Sequence, residues 1–122
     1  IYVMPPSEVP KLIYHEPARF PFDPAALSDE QLTIMMRNKE STALYVWEPY
    51  MHNPKLLHRL YRVTSPTLFV RGASDGLVSA DYVDGYAGLI KGAKVVTIPE
   101  AGHVPHVEQP AVFAKTVLEF LS

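Results

Sequence analysis

Two short β-prone runs with a helical stretch between them constrain this chain most. The first reads Pro66-Thr-Leu-Phe-Val-Arg71 and breaks at Gly72-Ala-Ser-Asp75-Gly76, and the second reads Lys94-Val-Val-Thr-Ile98 and breaks at Pro99-Glu-Ala-Gly-His103. This is a βαβ unit. A right-handed crossover makes its strands parallel and puts both carboxyl ends on one edge, where open α/β sheets carry their sites. Neighbouring strands lie ~4.8 Å apart, so Asp75 and His103, each just past a strand end, are expected to meet. A carboxylate that orients an imidazole and stabilises its cation is the acid and base half of a nucleophile-His-Asp arrangement. The chain offers no convincing nucleophile to complete it.

Helices are expected on either side of the second strand. Ser79 is placed to cap one that runs to about Lys91, with Val83, Tyr86 and Ile90 as its buried stripe and Gly92 as a left-handed residue past its end. Gly85 and Gly88 lie inside it and each cost ~1 kcal/mol relative to alanine, so they weaken the helix or mark close approach to another backbone. A final helix opens at Gln109-Pro110 and repeats Phe113, Val117, Phe120 and Leu121 on one side.

The first part of the chain has a different character. Twelve prolines in 122 residues is about twice the usual share, and Pro5, Pro6, Pro10, Pro17, Pro21 and Pro24 crowd the beginning. Such a segment reads as an extended connection rather than a helix or a central strand. Tyr2, Tyr14, Phe20 and Phe22 make it too aromatic for a solvated linker. Ser28-Asp-Glu-Gln31 is a capping box, followed at helical spacing by Leu32, Met35 or Met36, Lys39 and Ala43, with the helix running on towards Trp47 before Pro49. Asn53-Pro54 would start a second helix burying Leu56, Leu57, Leu60 and Tyr61. The boundaries expected are residues 1–62 for the connection and a helical region, and 63–122 for the strand-bearing part.

Composition narrows the partners. A hydrophobic share of 48%, a charged share of 20% and a net charge of -2 accompany no apolar run long enough to span a bilayer, so no membrane span is expected. Lysine and arginine are thinly spread, without the basic stripe that would neutralise phosphates, so nucleic acid is not an expected partner. The absence of cysteine removes disulfides, thiolate metal sites and thiol nucleophiles, and it suits a cytoplasmic location. No signal peptide is visible at the start.

The remaining groups admit rival chemistries. Gly72-Ala-Ser74-Asp-Gly76 formally matches Gly-x-Ser-x-Gly, yet a nucleophile elbow needs a helix beginning at once behind the serine, and Leu77-Val78 and a fresh cap intervene. His103-x-x-His106-x-Glu108 lacks the one-face helical spacing of a His-Glu-x-x-His zinc site. His106 and Glu108 are expected to order the loop, and His15, His52 and His58 to be surface or helical-region residues.

The run from Ser65 to Ser79, with Ile98-Pro-Glu-Ala-Gly-His-Val-Pro-His-Val-Glu-Gln-Pro110, resembles the C-terminal third of an α/β-hydrolase fold enzyme. Asp75 matches the family's catalytic acid after apolar-apolar-x-Gly-x-x-Asp. His103 matches its catalytic histidine, which follows a Gly shortly before Glu-x-Pro. The resemblance covers about Thr64 to Ser122 closely and the preceding part loosely. Arg71 departs from it, since this position is more often apolar or aromatic. Its charge is placed either to depress the Asp75 pKa or to face solvent.

The resemblance implies an α/β fold in which these residues form a helical cap plus a βαβα unit with parallel strands. The earlier strands, the oxyanion-hole loop and the nucleophile elbow would precede Ile1. It further implies an esterase-like hydrolase of small, largely apolar esters or related acyl compounds, needing no metal or organic cofactor, with Met35, Met36, Tyr45, Trp47 and Tyr50 on the cap's inner wall. Taken singly, each of those five is more readily an ordinary helix-packing residue. An Asp nucleophile would instead give an epoxide hydrolase or dehalogenase, and a Ser nucleophile with another pocket a carbon-carbon bond hydrolase. The alternative of another class is a non-catalytic fragment. Two parallel strands leave open sheet edges for the N-terminal part of the same enzyme or for a second chain.

Overall fold

The computed structural model describes residues 4–5, 7–48, 51 and 53–122. Strand β1 (Leu68–Gly72) pairs in parallel with β2 (Lys94–Ile98), in a register running from Leu68 opposite Lys94 to Gly72 opposite Ile98. The ladder continues beyond both strands. Lys94 N donates to Thr67 O at one end, while Ala73 N donates to Ile98 O and Ser74 N to Ala101 O at the other, each at 2.9 Å. The two site-bearing loops are therefore joined by backbone before any side chain takes part.

Before the sheet come helix α1 (Val9–Ile13), two single 3₁₀ turns (Pro17–Arg19 and Pro24–Ala26) and the long helix α2 (Asp29–Val46). The proline-rich connection is thus not purely extended. Pro10, Pro17 and Pro24 each occupy a first-turn position, where the missing N–H costs nothing and the fixed φ suits a turn. Tyr14 and Phe20 stack with centroids 4.5 Å apart, so these rings cover each other. Tyr2 lies outside the described residues. Helix α2 begins as its sequence dictates: Ser28 Oγ accepts from Gln31 N, and Gln31 Oε1 accepts from Ser28 N.

The second helix expected from Asn53-Pro54 is instead a 3₁₀ helix, Leu57–Arg62. Asn53 does bond the N–H of Lys55, but the segment buries only Leu60, and Tyr61 is exposed. A 3₁₀ helix stacks side chains every third residue, so the apolar face expected of an α-helix does not form.

Helix α3 (Ala80–Gly88) crosses from β1 to β2, with Ser79 Oγ accepting from Tyr82 N. It stops at Gly88, short of Lys91. Among the described residues, no backbone approaches Gly85 or Gly88, so what they contribute is weakness. Ile90 still reaches the core, and Gly92 takes the left-handed conformation at φ 77°. Helices α4 (Pro105–Glu108) and α5 (Pro110–Leu121) close the chain and pack on each other. On α5, Phe113, Val117 and Phe120 are half-buried, while Leu121 is exposed because no described element covers the far end. Among the described residues, Leu60, Val83, Ile90, Ile98 and Ala101 form the buried core. Ile98 and Ala101 put the tightest packing at the carboxyl ends of the strands. Among the described residues, no helix is long and apolar enough to cross a membrane.

Candidate active site

Three glycines bring the carboxyl-end loops into contact. A Cβ on Gly72 would fall on the Ala101 and Gly102 carbonyl oxygens, one on Gly102 would fall on the Ile13 carbonyl, and one on Gly76 would meet Leu12 O at 2.9 Å. Side chains at these positions would hold the loops apart. Instead Gly76 N donates to Leu12 O (3.1 Å), and His103 N donates to Ile13 O (2.6 Å). The end of α1 thereby becomes the third wall of the site.

In this setting His103 Nδ1 lies 3.0 Å from Oδ2 and 3.2 Å from Oδ1 of Asp75. The Asp75 side chain is 6% exposed and the imidazole 39%, so the acid is enclosed and the ring faces the opening. Oδ1 of Asp75 also accepts from Leu77 N (2.8 Å) and Val78 N (3.0 Å), an Asx-type turn. Turn formation and orientation of the ring are therefore compatible. Burial acts to raise the Asp75 pKa, but the N–H of Val78, the His103 ring and the N–H of Leu77 outweigh it and hold the carboxyl below its ordinary 3.8. Arg71 is not among these causes. An ionised carboxylate only accepts, so the proton between the two groups belongs to Nδ1. Nε2 makes no hydrogen bond to a described residue and is the nitrogen left to exchange a proton.

Ser74, one residue before the acid, has its Oγ 2.8 Å from Nδ1 of His15, and not on His103. His15 is therefore tied into the site's rim, a long-range contact that no local pattern announced. Glu108 is buried, accepting from Gly102 N and His15 N, in keeping with a loop-ordering role. His106 packs against the Phe113 ring at 5.7 Å. Among the described residues, no group of three His, Cys, Asp or Glu is placed to hold a metal ion.

The residues expected on the roof divide. Met35 and Met36 line a cavity of about 510 Å³ between α1 and α2, together with Ile13, Tyr14, Phe22 and Lys39 among others. Because Ile13 also accepts from the His103 N–H, this cavity shares a wall with the dyad's loop. Tyr45 and Trp47 sit at the end of α2, 87% and 71% exposed, and are not in that wall. Tyr50 lies outside the described residues, as does His52.

Residues 3–116 match the family described as "Alpha/beta hydrolase family". Over 69 residues the chain is 33% identical to a Bacillus subtilis (strain 168) protein that bears the name 2-succinyl-6-hydroxy-2,4-cyclohexadiene-1-carboxylate synthase, covering 57% of this chain and 25% of that protein. Among solved structures it resembles Est816, described as an N-acyl homoserine lactone degrading enzyme, with TM-score 0.54 and 22% identity, over 76% of this chain and 40% of that one. At that identity the likeness speaks for the fold alone. The chain thus spans a quarter of the curated relative's length and two fifths of the solved structure's.

Proposed function

The chain belongs to the alpha/beta hydrolase family, and on that premise we propose that it carries the acid and base of a hydrolase acting on small, largely apolar esters or related acyl compounds. The observation that carries the reading is the His103 Nδ1–Asp75 contact at 3.0 Å, with Asp75 enclosed and the ring exposed. In this reading Nε2 of His103 takes the proton of a serine hydroxyl as its oxygen attacks the acyl carbon. It returns that proton to the departing alcohol, and then activates water to release the acid. Asp75 keeps Nδ1 protonated and stabilises the imidazolium. The serine is expected in a Gly-x-Ser-x-Gly elbow outside these 122 residues, because the nucleophile precedes the acid and base in this family's chain order. The helical region up to Arg62 is read as a cap, with the cavity against Met35 and Met36 taking the apolar part of the substrate.

One observation favours a second reading, in which the substrate bears a carboxylate. Lys39 is the charged residue among those lining the cavity, and the Bacillus subtilis relative is named for a carboxylate product. Labelling with a fluorophosphonate probe, followed by mapping of the modified peptide, tests the main reading. A labelled serine in an upstream Gly-x-Ser-x-Gly, with labelling dependent on His103, supports it. Modification at Ser74 would overturn it.

A further inference from the structure

Glu108 is the buried acid that this chemistry leaves unused. It closes α4, is 7% exposed, and has both oxygens engaged by backbone: Oε2 accepts from Gly102 N at 2.6 Å and Oε1 from His15 N at 2.7 Å. A buried carboxylate is tolerated only when such bonds replace its water, and bonds of this charge-assisted kind are about twice as strong as neutral ones. Their placement matters more than their number. Gly102 directly precedes His103, and the His103 N–H is itself held by Ile13 O. Two successive N–H groups at the root of the imidazole are thus fixed to residues 13–15, one of them through Glu108. No side chain at 102 could substitute for this packing, since a Cβ there would fall on the Ile13 carbonyl.

We propose that Glu108 is a positioning residue, holding the His103 ring within reach of Asp75 by fastening Gly102 to the backbone at His15. This rests on the reading of His103 and Asp75 as base and acid. A residue that only stabilises the fold would lower the melting temperature and leave the ring of the folded protein where it is. A positioning residue moves the ring while the chain remains folded.

Glu108→Gln separates the two. It keeps the shape but offers one acceptor and one NH₂ donor to two N–H groups, so one of them loses its partner. The readout is the downfield proton resonance of His103 Nδ1–H, assigned by its loss in Asp75→Asn and recorded well below the melting temperature, alongside kcat and KM on a chromogenic ester for the enzyme that carries the nucleophile. The expected result is a resonance broadened or lost in Glu108→Gln, with kcat lowered on the order of tenfold to a hundredfold and KM little changed. If that variant does not fold, Glu108→Asp, which keeps the charge but withdraws it by one methylene, is expected to lose the same resonance. An unchanged resonance and kcat in a folded variant, with only the melting temperature lowered, would overturn the proposal. Should His103→Ala hydrolyse the ester normally, the catalytic reading fails instead, and the resonance alone still reports whether Glu108 sets the ring.

Discussion

Asp75 and His103 are 28 residues apart in sequence, yet Nδ1 of His103 lies 3.0 Å from Oδ2 of Asp75. Backbone closes this gap. Gly72 pairs with Ile98, the ladder extends through Ala73 and Ser74, and the Asx-type turn at Asp75 aims the carboxylate along the sheet edge. The side chains complete a geometry that the strand register has already set.

The depressed Asp75 pKa makes an acid-side prediction. A carboxyl whose folded pKa lies below the unfolded value contributes stability that is fully present above the unfolded value and is lost as pH falls through the folded one. The ordinary value is 3.8 and the shift is downward. The difference in urea-unfolding free energy between wild type and Asp75→Asn is therefore expected to be steady near about pH 5 and to shrink below about pH 4. A difference that grows on acidification would contradict the assigned direction.

Glycine substitutions should differ in sign. Gly102→Ala would drive a methyl into the Ile13 carbonyl, and its melting temperature should fall by an amount equivalent to at least about 2 kcal/mol. Gly85→Ala meets open space within α3 and should gain roughly 0.5–1 kcal/mol through helix propensity. Equal effects at the two sites would argue against the close approach of α1 to the histidine loop.

Much of this was legible in the sequence because its causes are local. The capping residues Ser28 and Ser79, the bounds of β2 and the left-handed Gly92 all follow from residues adjacent in the chain. Asp75 and His103 were legible because a βαβ crossover gives two strand ends one edge. The contacts of His15 with Ser74 and of Glu108 with His15 join residues 59 and 93 positions apart, and neither carries a local signal. The Asn53-Pro54 signal shows up as an Asx-type turn, with Asn53 Oδ1 accepting from Lys55 N, while the 3₁₀ helix begins only behind Leu56 and has no side-chain cap. Tyr45 and Trp47 looked like wall residues by type, yet their exposure at the end of α2 depends on what packs there.

Ser74 is bonded to His15, and its hydroxyl does not reach the His103 ring. Ser74→Ala should therefore leave ester turnover within about threefold of wild type, and at most loosen the rim by about 1 kcal/mol. Turnover lost in Ser74→Ala but kept in a variant of an upstream elbow serine would make Ser74 the nucleophile.

The cavity against α2 predicts where specificity is set. Met35→Ala enlarges a wall of that cavity and should shift the preferred acyl chain towards longer esters, changing kcat/KM ratios by roughly tenfold per step. Trp47→Ala, at a residue outside that wall, should change the profile much less. Specificity across a series of acyl chain lengths is the measurement. A profile altered by Trp47→Ala and not by Met35→Ala would move the binding site to the far end of α2.

The most direct test of the account is steady-state hydrolysis of a short-chain chromogenic ester by the enzyme and by its His103→Ala variant. On the proposed reading, these 122 residues by themselves are expected to show little turnover and serve as background. His103→Ala is expected to lower kcat by at least about a thousandfold with KM nearly kept, because the base acts in the transition state and not in binding. A folded His103→Ala enzyme that retains kcat within about tenfold of wild type would contradict the assignment of His103 as the base, and with it the role given to Asp75.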